Sequence, residues 1–133
     1  MLNVKRKLAG FLVILAFQPA WCANHTVIVG AGGMLVFSPS TLTIGVGDSV
    51  TFTNVGGFHN VVANDHSFRC ASGCDGMGGN GSPNGSFWSA VVTFNSAATI
   101  GYYCEAHGSA GSGMFGTIVV QGAPVELQRF EVE

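Results

Sequence analysis

From His25 to Gln121 the chain is a succession of short apolar runs, each closed by Gly, Pro, Asn or Ser, and no stretch keeps a helical period of useful length. That pattern constrains the fold more than any other feature. Leu42, Ile44 and Val46 alternate with Thr43 and Gly45, and Val50 and Phe52 alternate with Thr51 and Thr53, as half-buried strands do. His25–Val29, Met34–Phe37, Val61–Ala63, Phe87–Phe94, Thr99–Cys104 and Phe115–Gln121 read as further strands, with turns at Gly32-Gly33, Ser38-Pro39-Ser40 and Gly47-Asp48. Strands of this kind bury their apolar faces by packing sheet on sheet. The expected class is therefore all-β, an antiparallel sandwich or barrel.

Three segments fall outside the strand pattern. Residues 1–23 carry a basic start (Lys5, Arg6, Lys7), an apolar run from Leu8 to Phe17 and small residues near 20–23, the layout of a secretory signal peptide. Its apolar run is too short to span a bilayer. Lipid attachment at Cys22 is a poor match, because Trp21 directly precedes it. Residues 64–86 hold six glycines with Pro83 and several Asn and Ser, and read as a surface excursion without periodicity. Residues 123–133 form a charged tail. A single domain, 24–122, remains, with no internal repeat.

Without the leader, the only cations left are Arg69 and Arg129, against seven acids, a net charge of −5. A nucleic-acid partner is excluded on that ground. A protein partner with a basic surface suits the field better. Export also makes the cysteines informative: beyond Cys22 there are Cys70, Cys74 and Cys104, an odd number. The simplest partition bridges Cys70 to Cys74 and leaves Cys104 free; the alternative pairs Cys104 with one of them.

A free Cys104 has metal-compatible neighbours. The stretch YYCEAHGSAGSGMFGTIVV, Tyr102 to Val120, places a thiol at Cys104, an imidazole at His107 and a thioether at Met114 around a Gly-rich segment. Thiolate and thioether favour Cu(I), and imidazole suits both oxidation states. A second histidine would complete a His₂Cys set with a weak axial Met. His59 is the candidate, at the mouth of a strand after Gly56-Gly57. His25 lies at the mature N-terminus, where disorder is expected, and His66 stands beside Asp65 in the excursion as a solvated residue.

These residues carry a family resemblance. Phe37-x-Pro39, Val46-Gly47-Asp48-x-Val50-x-Phe52, Phe58-His59-Asn60, Tyr102-x-Cys104-x-x-His107 and Gly113-Met114-x-Gly116 occur in one order over nearly the whole domain. The chain resembles the cupredoxins, in particular the plastocyanin-like and pseudoazurin-like group. The resemblance implies a Greek-key β-sandwich with one type 1 (blue) copper held by His59, Cys104 and His107, with Met114 axial. It further implies one-electron transfer, Cu(II)/Cu(I), with a redox protein as partner and no enzymatic turnover. Asn60 matches a position that ties the His59 segment to the Cys loop. Two features depart from the pattern: six residues rather than four separate His107 from Met114, and the excursion has no counterpart to transfer.

Rival readings are weaker. A dinuclear copper centre on Cys70-x₃-Cys74 needs a His shortly after Cys74, and none is there. A zinc site from Cys70, Cys74, Cys104 and His107 has suitable donors but competes with a disulfide. A copper-holding or delivery protein without redox turnover would use the same ligands, and a metal-free β-sandwich would place Cys104 in a disulfide.

Overall fold

Strand β4 (Ser49–Asn54) shows how the alternating runs are used: Val50, Phe52 and Asn54 are buried while Ser49, Thr51 and Thr53 stay half exposed. The same period runs through Met114, Gly116, Ile118 and Val120 of the last strand. The structure, a computed structural model, describes residues 21–122 together with 9, 10 and 13. The expected leader lies largely outside the described residues, and the tail lies wholly outside them. In the described part no helix is long and apolar enough to cross a membrane.

Besides β4, the strands are β1 (Asn24–Val29), β2 (Phe37–Ser38), β3 (Thr41–Gly45), β5 (Val61–Ala63), β6 (Arg69–Ala71), β7 (Gly73–Cys74), β8 (Ser89–Thr93), β9 (Ala98–Ser109) and β10 (Ser112–Gln121). They form two sheets, ordered β2-β1-β4-β8 and β3-β10-β9-β5-β6-β7. The expected sandwich is present, and its sheets are mixed rather than wholly antiparallel. β1 lies parallel to β4, and β3 lies parallel to β10. The chain leaves the first sheet after β2, adds β3 to the second and returns as β4, so neighbours within a sheet are not always joined by a hairpin.

Aromatic side chains knit the sheets together. The Tyr102 ring of β9 meets Phe52 of β4 edge-on at 5.2 Å and Phe37 of β2 at 4.8 Å. Phe68 and Phe94 continue the cluster, with ring centroids 6.0 Å apart. Each such ring, fully buried, contributes on the order of 1.5–3 kcal/mol relative to exposure.

Two expectations need correction. The excursion is only in part an irregular surface loop: β6 and β7 extend the second sheet, and Phe68, Cys70, Ala71 and Cys74 join the hydrophobic core, while most of 75–86 stays exposed in turns. Strands of two or three residues are too short to show a period, which is why the composition reads as loop. His25 is not frayed: it sits on β1, and its ring Nε2–H donates to the Asp48 carboxylate at 2.8 Å.

Candidate metal centre

One end of the sandwich is built from the segments that leave β1 and β4 together with the β9–β10 hairpin. After β4 the backbone turns at Gly56 and Gly57, with φ 147° and 89°, and reaches His59, which is 2% exposed. A Cβ on Gly57 would lie 2.5 Å from His59 Nε2, and one on Gly30, after β1, would lie 3.0 Å from it. The two glycines thus pack against one ring nitrogen, while the other, Nδ1, faces the thiol of Cys104. The backbone of His59 is pinned as well. It pairs with Asn84 in a β-bridge, and its carbonyl accepts a hydrogen bond from the indole N–H of buried Trp88 at 3.2 Å.

The Tyr102–Val120 stretch is not an open loop between strands. β9 and β10 form one antiparallel hairpin, turned at Ala110-Gly111 with Gly111 at φ 71°. Ser109 faces Ser112 and Gly108 faces Gly113; the ladder then breaks and resumes with Tyr103 opposite Phe115. Across the break Met114 alone faces the four residues from Cys104 to His107. The six residues between His107 and Met114 are thus taken up by the two pairs and the turn. Met114 lies in the core and is 1% exposed. Tight backbone approach makes this fit possible: a Cβ on Gly108 would lie 2.6 Å from the Met114 nitrogen, and one on Gly113, at φ 71°, would lie 2.6 Å from the His107 carbonyl oxygen.

Cys104 Sγ lies 3.8 Å from Nδ1 of His59 and 3.8 Å from Nδ1 of His107. The three donor atoms all fall within 4.8 Å of one another. The histidine rings meet edge-on with centroids 4.9 Å apart. Cys104 is fully buried and unbridged, whereas Cys70 and Cys74 form a disulfide. Burial, then the proximity of His107, pushes the His59 imidazole below its ordinary range, so its lone pair is available at neutral pH. Two nitrogens and a thiol converging at these distances, with a buried thioether on the facing strand, are a donor set that fits copper.

A polar ring braces the same segment from outside. Buried Asn60 accepts the Glu105 backbone N–H at 2.9 Å and donates to Glu105 Oε2 at 2.7 Å and to the Gly81 carbonyl at 2.9 Å. Glu105 also accepts from Arg69, whose Nη2 and Nε lie 2.8 and 3.0 Å from Oε2. Arg69 Nη1 reaches Asp75 at 2.9 Å, and Asp75 accepts the Gly81 N–H at 2.7 Å. Arg69, then Asn60, holds the Glu105 carboxyl below its usual range. For Asp75 the Gly81 N–H has the larger lowering effect and Arg69 the smaller. Sequence reasoning missed Arg69, Glu105, Asp75 and Gly81. The available signal was that Arg69 is the only Lys or Arg between residues 21 and 122 and directly adjoins Cys70. His25 and His66 stand away from the donor cluster, His25 on Asp48 and His66 exposed in a turn at φ 61°.

The model of the copper-binding proteins of the plastocyanin/azurin family matches residues 24–121, nearly all of the described domain. The chain belongs to that family. Among curated plastocyanins, that of Scenedesmus fuscus is 40% identical over 98 residues, covering 72% of this chain and 98% of the relative. The chloroplastic plastocyanin of Tetradesmus obliquus is 38% identical over 116 residues, covering 85% and 79%. Among solved structures, an oxidized amicyanin variant superposes with a TM-score of 0.51 at 26% identity, covering 74% of this chain and 82% of that one. As a plastocyanin/azurin member with this donor set, the chain has copper as its cofactor, in a type 1 site.

Proposed function

We infer that the protein is an exported mononuclear type 1 copper protein that carries single electrons between redox partners and turns over no substrate. His59, Cys104 and His107 are its strong ligands, and Met114 is its weak axial ligand. The observation that carries this reading is the convergence of the Cys104 thiol on both imidazole Nδ1 atoms at 3.8 Å. Copper held there supplies a one-electron Cu(II)/Cu(I) couple, with its potential tuned by the axial ligand and by hydrogen bonding around the sulfur.

The chain's own part is to hold the donors still. His59 is clamped between glycines and a bridged backbone, while Cys104 and His107 sit in a hairpin continuous with the sheet, so little rearrangement accompanies a change of oxidation state. The buried thiol is kept from solvent. The half-buried His107 gives a route to the surface, where Met34, Leu35, Phe58 and Phe115 are exposed on the segments next to the ligands. An apolar rim of this kind suits a brief encounter with a partner protein, and the acidic charge of the exported chain suits a basic one.

Adding Cu(II) to the purified copper-free protein tests the reading. The expected result is an intense visible thiolate-to-copper band, a reversible one-electron wave and rapid exchange with a c-type cytochrome. A colourless complex, or a coloured one that exchanges no electrons, would overturn it.

A further inference from the structure

The disulfide-bridged excursion has a place in the site that the ligand set does not reveal. Two of its charged residues adjoin the bridge: Arg69 precedes Cys70, and Asp75 follows Cys74. Cys70 and Cys74 are also paired across β6 and β7, so the covalent link fixes the spacing at which the guanidinium fork meets the Asp75 carboxylate. Arg69 extends its other edge to Glu105, the residue directly after Cys104. The circuit closes through Gly81, whose N–H goes to Asp75 and whose carbonyl goes to Asn60. A side chain at Gly81 has no room, since a Cβ there would lie 2.3 Å from the Arg69 carbonyl oxygen.

Resting on the copper reading above, we propose that Arg69 is a positioning residue for the Cys104–His107 segment. It acts through the Glu105 carboxylate, and the Cys70–Cys74 bridge holds it ready. The energetics favour positioning over bulk stability. The side chains of Arg69, Asp75 and Glu105 are 34%, 45% and 34% exposed, and ion pairs at such exposure add little to folding. Their geometry, however, is specific: a guanidinium shared between two carboxylates, one of them also bonded to a fully buried Asn60. Partners one step out from a metal ligand act in this way, by restricting the orientations that the ligand-bearing backbone samples.

The test uses the full mature protein and the variants Arg69→Met, Glu105→Gln and their double. Three quantities are read: the reaction rate of the Cys104 thiol with a small disulfide reagent in copper-free protein, Cu(II) affinity with the position of its visible band, and melting temperature. Both single variants are expected to expose the thiol faster, shift the band and weaken copper binding by roughly 10- to 100-fold. The double variant should do no worse than the singles, because both break one link. If melting temperature falls while thiol rate and band stay at wild-type values, the ring is merely structural and the proposal fails; additive effects in the double variant overturn it too. Glu105→Gln, which keeps shape and the Asn60 contact, supplies the reading should Arg69→Met not fold. A wild-type protein that takes up no copper sinks the copper reading alone, since thiol protection is measured without metal.

Discussion

The two ends of the sandwich each hold a buried polar cluster with histidine, and they are put together differently. Where β1 and β4 begin, His25 donates to Asp48, which also accepts the N–H groups of Ala23 and Gly45 at 2.9 and 3.0 Å. Both Asp48 carboxylate oxygens have protein partners there, and the cluster ties three segments together. Where β1 and β4 end, His59 and His107 turn their Nδ1 atoms toward one thiol, and among the described residues no carboxylate receives either ring. The lesson concerns what each ring faces. A histidine bonded to a carboxylate is part of the scaffold, whereas two histidines and a cysteine turned toward one another are a metal-binding donor set.

The strongest way to break this contrast is Cys104→Ser. At the ligand end it should abolish the visible band and lower Cu(II) affinity by more than about 100-fold, the upper range for loss of a supporting partner. His25→Ala, the matching change at the scaffold end, should leave the absorption spectrum intact. Titration of both variants with copper decides the point.

Gly113→Ala comes next. With φ 71° and a Cβ position 2.6 Å from the His107 carbonyl oxygen, it should cost more than about 1 kcal/mol in denaturant unfolding and perturb the copper spectrum together. An alanine at Gly111, equally left-handed but with nothing near its Cβ, should destabilise without a spectral change.

Acid separates the ends by sign. Hydrogen bonds from His25, then from Ala23 and Gly45, lower the Asp48 pKa to about 2. A carboxylate depressed on folding contributes stability above its unfolded value, near 3.9, and loses it as pH falls to about 2. Wild-type melting temperature should therefore drop over that window, and Asp48→Asn should start lower and flatten the dependence there. An Asp48→Asn variant with unchanged acid sensitivity would falsify the assignment.

The smallest expected effect is Met114→Leu. A buried apolar replacement keeps the fold and the band, and voltammetry should show a shifted potential, as loss of a weak axial thioether implies. No shift would leave Met114 as packing alone.

Much of this was legible in the sequence because it is local. The alternation of Val50 and Phe52, the three-residue step from Cys104 to His107 and the odd thiol all lie within short windows. What escaped depends on distance along the chain. Arg69 meets Glu105 across 36 residues and Asn60 meets Glu105 across 45, and neither leaves a local pattern. Glu105 was passed over as an unassigned position inside the Cys104–His107 motif, although its side chain joins the excursion to the ligand segment. The hairpin was hidden because Gly108–Gly113 reads as flexible; its order comes from cross-strand pairing. The parallel pairs β1/β4 and β3/β10 likewise follow from the path between sheets, which short alternating runs do not encode.

The hydrogen bond from Trp88 to the His59 carbonyl has an optical consequence. The chain has two tryptophans: Trp88 is 4% exposed beside the donors, and Trp21, 88% exposed, stands just before β1. Indole emission from Trp88 should be blue-shifted and quenched as Cu(II) binds, while that of Trp21 resembles the free fluorophore. Proteins cleaved after Cys22 keep only the first, so metal uptake becomes readable from a single intrinsic lamp at the site.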